Sequence, residues 1–87
     1  MINDFLIIEF GNRIRSLRLH DKLSQEQLSF KTGFHRTYIG MIERGERNIS
    51  LTNMAVFAKV FNISIDELLH FDNSKELFKK YKLKTEE

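Results

Sequence analysis

Ser24-Gln-Glu-Gln-Leu-Ser-Phe-Lys-Thr-Gly-Phe-His-Arg-Thr-Tyr-Ile-Gly-Met-Ile-Glu-Arg-Gly45 is the stretch that decides the fold. Ser24 followed three residues later by Gln27 fits a capping box, in which the serine accepts from a free amide of the first turn and the glutamine reaches back. Leu28 is the inward residue of the helix so begun. Thr32-Gly33 ends it, because glycine takes the positive φ of a helix stop. A second short helix runs from about His35 to Arg44, with Ile39 and Ile42 on one side, and Gly45 closes it. Leu28, Gly33, Ile39 and Ile42 stand where two packed helices need apolar contacts and a positive-φ turn. The stretch therefore predicts a helix-turn-helix. The exposed positions of its second helix are Arg36, Thr37, Tyr38 and, one turn on, Gly40 and Met41.

Outward from this pair the helical spacing continues. Upstream, Phe10, Ile14 and Leu17 share a face with Ile7, while Arg13, Arg15 and Ser16 lie off it; the pattern fades at Asp21-Lys22. Downstream, Ser50 caps a helix carrying Leu51, Met54, Phe57, Ala58 and Phe61, with Asn62 as a left-handed stop. Ser64-Ile-Asp-Glu67 is a second capping box with its acids at the positive end of the helix dipole, and this helix continues through Leu68 and Leu69. From Asp72 the chain changes character. Ser74 to Lys84 places Leu77, Phe78 and Tyr81 on one stripe, the pattern of a sixth helix or of a fraying end. The expected architecture is all-α: a compact five-helix domain over residues 1–71, followed by a basic C-terminal tail or short helix over residues 72–87. No strand alternation or internal repeat is visible.

Composition narrows the function. The chain has 87 residues, room for one domain. It has no Cys, which excludes a disulfide framework and thiolate chemistry, and no Pro to break a helix. With 41% hydrophobic and 30% charged residues it is neither disordered nor membrane-spanning in character. The start, Met1 to Phe10, lacks the basic region and long apolar run of a signal peptide, so a cytoplasmic location is expected. The three histidines, His20, His35 and His70, have no ligand spacing, so no metal and no cofactor is expected. No nucleophile–base pair, paired carboxylates or phosphate loop can be assembled, which argues against an enzyme.

The net charge is only +2, but its distribution is uneven. All the arginines (Arg13, Arg15, Arg18, Arg36, Arg44 and Arg47) precede residue 48, and beyond it the bases are lysines. Guanidinium forks match guanine edges and phosphates, whereas an ammonium acts as a point charge. Two arginine clusters flanking the helix pair point to an anion-facing surface.

From Phe10 to Leu69 the chain resembles the Xre/Cro-type (lambda repressor-like) helix-turn-helix domain of phage repressors and bacterial regulators. The matching pieces are Arg-Ile-Arg-Ser-Leu-Arg (13–18), Leu23-Ser-Gln-Glu-Gln-Leu28, Tyr38-Ile39, Ile42-Glu-Arg-Gly45, Asn48-Ile-Ser-Leu51 and Phe61-Asn-Ile-Ser-Ile-Asp-Glu-Leu-Leu69. The string His-Arg-Thr-Tyr-Ile-Gly-Met-Ile-Glu-Arg-Gly-Glu-Arg-Asn (35–48) is similar to the controller proteins of restriction–modification systems. Those proteins carry an acid or serine where this chain has His35, so the third helix is expected to lack a strong N-cap.

The resemblance implies a homodimer that reads a pseudo-palindromic, double-stranded DNA operator with its third helix and regulates its own operon. It assigns base contacts to Arg36, Thr37 and Tyr38. Arg36 is the expected guanine reader, and Thr37 can offer its methyl to thymine or its hydroxyl to phosphate. Tyr38 has a second reading, with its ring packed over the turn. Backbone contacts fall to Ser24, Gln25, His35, Arg47 and Asn48, and helix N-termini suit phosphate because their free amides point outward. Arg18 and Glu43 match a structural ion pair of the family. Glu26 and Glu46 are expected to be solvated charges, or acids that discriminate against wrong contacts or touch RNA polymerase, a further candidate partner. Ile63, Ile65, Leu69 and Phe71 are more apolar surface than so small a unit readily hides, and are expected to form a self-complementary dimer patch. Phage or chromosomal repressors and antitoxin-type interaction modules are the alternative functions.

Overall fold

The computed structural model describes residues 2–71. Five helices follow in order: α1 (Ile2–His20), α2 (Gln25–Thr32), α3 (Arg36–Glu43), α4 (Leu51–Phe61) and α5 (Ile65–Leu68). No strand occurs among the described residues. The sixth helix expected between Ser74 and Lys84 lies outside them. α1 begins well before the apolar face that marks it in sequence, since nothing in Ile2 to Glu9 breaks a helix.

Local chemistry sets the helix starts. Ser24, Ser50 and Ser64 adopt extended backbone, and their hydroxyls accept from the amides of Gln27, Asn53 and Glu67 at 3.0, 3.1 and 3.3 Å. The return bonds that complete both capping boxes are present, from the Ser24 amide to Gln27 Oε1 at 2.8 Å and from the Ser64 amide to Glu67 Oε1 at 3.3 Å. α3 departs from expectation: His35 does cap it. Its Nδ1 accepts from the Thr37 amide at 3.0 Å, so a neutral imidazole lone pair supplies what a carboxylate or hydroxyl supplies elsewhere. At the other ends, Gly33 (φ 81°) and Asn62 (φ 57°) take the left-handed conformation that returns the chain.

α1 packs on α3, α3 on α2, and α4 closes over α1 and α2 while carrying α5. Ile14, Leu28, Ile39, Ile42, Phe57 and Leu68 are almost wholly buried where these helices meet. Phe57 links the helix pair to α4: its ring lies 5.3 Å from that of Phe34 in the turn and 6.4 Å from that of Phe61, nearly parallel. α1 and α3 approach so closely that Gly11 leaves no room for a side chain. A Cβ there would overlap the Ile42 carbonyl oxygen and stand 3.0 Å from that of Glu43.

Arg18 and Glu43 clamp the same two helices from the side. Arg18 Nε donates to Glu43 Oε2 at 2.7 Å and Nη2 to Oε1 at 3.0 Å, while Nη1 reaches the Leu23 carbonyl at 2.8 Å. The side chains are 10% and 4% exposed, a buried bidentate pair in which each guanidinium nitrogen has a hydrogen-bond partner. The hydrogen bonds Arg18 donates to Glu43 raise its guanidinium above its ordinary value, against the opposing effect of burial.

Two placements correct the sequence reading. Phe71, assigned above to the dimer patch, is 7% exposed and belongs to the core of the single chain. It follows α5 and shares a lining with Phe10 of α1, so the turn after Leu69 folds it inward. Gly40, expected on the surface, is buried because the Arg44 side chain lies across it.

Candidate nucleic-acid interface

α3 offers its N-terminal turn outward. Arg36 and Thr37 are exposed, and next to them stands the start of α2. Gln25, Arg36, Thr37, Gly40 and Arg44 line one open cavity of about 310 Å³ between the two helices. The capping box fixes where α2 begins, and the Glu43 carboxylate fixes Gln25. Gln25 Nε2 donates to Glu43 Oε1 at 3.1 Å, the same oxygen that receives Arg18 Nη2. A carboxylate only accepts, so the amide nitrogen must face it and the amide oxygen faces the cavity. Gln25 therefore presents an acceptor there. A phosphate at this helix start would be met by backbone amides, or by the side chain after it releases Glu43. Ser24 is exposed at the same terminus, and its hydroxyl oxygen is engaged as the cap.

Tyr38, grouped above with the base readers, takes its second reading. Its ring meets Phe34 edge-on at 5.3 Å and is half-buried, and its hydroxyl accepts from Asn53 Nδ2 at 2.9 Å. The Arg47 guanidinium lies 6.0 Å from the ring centroid, within reach of a cation–π contact. The hydroxyl hydrogen is thus what Tyr38 has left to donate. Asn53, which the sequence reading did not single out, aims it. Arg47 and Asn48 are both exposed on the segment between α3 and α4, and His35 is exposed at the start of α3.

The arginines divide. Arg18 is internal, and so in function is Arg13: its Nη2 and Nε donate to the Glu67 and Leu68 carbonyls at 2.7 and 3.3 Å, capping the C-terminal end of α5. Two of the three arginines in the first cluster are therefore structural staples. Arg36 remains 67% exposed, with Glu26 Oε2 3.7 Å from its Nη1. Arg44 joins the candidate surface, held by Glu46 at 2.9 and 3.2 Å. The signal for Arg44 was present in the sequence: positions 36, 40 and 44 are four apart, hence on one face. Glu26 and Glu46 are exposed to solvent, as expected, and each also stands within ion-pair distance of one of these arginines.

Of the remaining apolar residues assigned to pairing, Ile65 and Leu69 are each 38% exposed and Ile63 is half-buried. They surround α5, whose far end Arg13 fastens to α1.

This arrangement, a capped helix pair presenting the first turn of its second helix, matches known proteins. The helix-turn-helix family model matches residues 14–68. Control protein C.SmaI of Serratia marcescens is 50% identical over 59 residues, which cover 68% of this chain and 70% of the relative. The crystal structure of the restriction–modification controller protein C.AhdI of Aeromonas hydrophila aligns at a TM-score of 0.68 with 45% identity, over 71% of this chain and 94% of that one. The tetramer of the controller protein C.Esp1396I, solved in complex with its natural 35-base-pair operator, aligns at 0.69 with 29% identity, over 87% and 93%. The chain belongs to the Xre/Cro-type helix-turn-helix family of DNA-binding transcriptional regulators, and within it resembles the controller proteins of restriction–modification systems. No helix among the described residues is long and apolar enough to cross a membrane.

Proposed function

We propose that the chain acts as a homodimeric controller protein, binding a pseudo-palindromic operator in its own operon and setting expression of that operon from the cytoplasm. The observation that carries this reading is the cavity at the start of α3, where Arg36 and Thr37 stand outward beside the amides of α2. α3 enters the major groove by its first turn. Arg36 reads guanine through O6 and N7, Thr37 contacts a neighbouring base or phosphate, and Tyr38 donates its hydroxyl to the backbone. Ser24, Gln25, His35, Arg47 and Asn48 seat the phosphates on either side. Ile63, Ile65 and Leu69 pair with those of a second copy, setting two recognition helices about 34 Å apart on half-sites centred roughly 10 bp apart. An activating role would add RNA polymerase as a partner. C.Esp1396I on its operator supports the reading by family membership and shared fold.

Selection of bound duplexes from random oligonucleotides tests it, because symmetry, spacing and base preference emerge together. The expected result is a two-fold symmetric site whose binding weakens steeply with salt. In the same assay Arg36→Ala should relax preference at one position per half-site, by about 1–3 kcal/mol. Unselective enrichment would refute sequence-specific binding, and an unchanged preference in the variant would refute the role of Arg36.

A further inference from the structure

Arg44 and Glu46 form the tightest exposed ion pair on the candidate DNA face. Arg44 shares the α3 stripe with Arg36, and Gly40 between them is what lets its guanidinium lie back over the helix: a Cβ at position 40 would sit 3.1 Å from Arg44 Nη1 and 3.6 Å from Gln25 Oε1. Glu46 receives Nε at 2.9 Å and Nη2 at 3.2 Å, a two-pronged fork. This is the geometry in which a guanidinium takes a phosphate or a guanine edge. Nε and its neighbouring Nη2 hydrogen cannot serve both anions at once, and Nη1 lies back over Gly40 rather than outward. Both side chains are open to solvent, 58% and 47% exposed, so exchange of one anion for another is sterically free. The fork raises the Arg44 guanidinium above its ordinary value and holds the Glu46 carboxyl below its own, so the pair stays fully ionised near neutral pH.

We infer that Arg44 is a DNA-contacting residue and that Glu46 is its built-in competitor, which raises the ratio of specific to non-specific binding. The inference rests on the DNA-binding reading above. Non-specific binding is carried almost entirely by phosphate neutralisation. On an arbitrary duplex, loosely and variably docked, a solvent-screened phosphate offers Arg44 no better geometry than the carboxylate it already holds, and Arg44 stays with Glu46. On a matched site the other contacts fix the register of α3 and present one anionic or guanine acceptor to Arg44 at close range. The fork then transfers, and Glu46 turns to solvent. Glu46 therefore removes one phosphate contact from non-specific complexes and leaves it in the specific one. Arg36 and Glu26 show a looser version of the arrangement at 3.7 Å.

A double-mutant cycle on the full chain tests this. Wild type, Glu46→Gln, Arg44→Ala and the double variant are titrated, across a salt series, against a duplex selected by the wild type and against its scrambled counterpart. Circular dichroism confirms the fold of each, as expected for exposed positions. Glu46→Gln is expected to raise affinity for the scrambled duplex several-fold and to steepen its log K against log salt slope by about 0.9, the signature of one added phosphate contact. The selected duplex should gain less, so the specificity ratio falls. In the Arg44→Ala background the steepening should vanish. An equal gain on both duplexes, or the same gain with Arg44 absent, would overturn the competitor and leave mere charge repulsion. Failure of the wild type to bind any duplex would overturn the DNA-binding reading itself, and the competitor with it.

Discussion

Replacing Gly11 by alanine sets two well-understood effects against each other. Gly11 lies in the middle of α1, where alanine favours the helix by about 1 kcal/mol. The new methyl, however, would overlap the Ile42 carbonyl oxygen and stand 3.0 Å from the Glu43 oxygen and 3.1 Å from the Glu43 carbonyl carbon. All three are backbone atoms of α3, so no flexible side chain can swing aside. Relief requires α1 and α3 to part. The buried Ile14 and Ile42 would then lose close contact, and the Arg18–Glu43 pair would stretch. Overpacking of a tight core costs about 1–3 kcal/mol, and a backbone obstacle belongs at the top of that range. The net loss is about 2 kcal/mol, against a total stability of roughly 4–13 kcal/mol for a domain of this size. Urea denaturation followed by circular dichroism should show it, and the melting temperature should fall by roughly 8–16 °C. DNA affinity should drop as well, because α3 moves. A variant as stable as the wild type, or more so, would mean that α1 and α3 do not approach as described and that propensity alone governs the position.

Other consequences are equally direct. Glu43→Ala leaves the buried Arg18 without its carboxylate and should cost about 3–5 kcal/mol by urea denaturation; replacing both partners together (Arg18→Met with Glu43→Leu) should recover most of it, and an equally unstable double variant would show that the loss lies elsewhere. Ile65→Asp combined with Leu69→Asp should yield monomers in analytical ultracentrifugation without unfolding the domain, since each side chain is 38% exposed in the single chain; a variant that still sediments as a dimer would place the interface elsewhere. The Asp66 carboxyl is held below its ordinary value by the hydrogen bond from Ser64 and by its own backbone amide. A depressed folded value contributes stability above the unfolded value that is lost as pH falls through the folded one. Stability should therefore decline as pH drops below about 4, and less steeply in Asp66→Asn; identical pH profiles for the two proteins would refute that contribution.

Much of this molecule is legible locally. Ser24, Ser50 and Ser64 start helices, and Gly33 and Asn62 stop them, because capping and left-handed turns are settled within a few residues. The inward stripe of Ile14, Leu28, Ile39 and Phe57 follows from periodicity for the same reason. Other features depend on what arrives from far along the chain. That His35 caps α3 turned on the orientation of an imidazole lone pair, which residue type alone leaves open. Charge in sequence does not show where a long side chain points: Arg13 meets the carbonyls of residues 67 and 68, and Arg18 meets Glu43. Phe71 looks like surplus apolar surface until the turn after α5 returns it to the core. Gly11 reads as an unremarkable weakness in a helix until α3 is laid against it. The helices, their order and the outward first turn of α3 at Arg36 and Thr37 could be read from the residues alone, because they rest on short-range backbone chemistry and period; the half-burial of Tyr38 and the burial of Gly40 farther along α3 could not. Which arginines stay exposed beside α3 and which carboxylate or carbonyl each one meets depend on the tertiary structure, because a guanidinium's partner is chosen by distance in space.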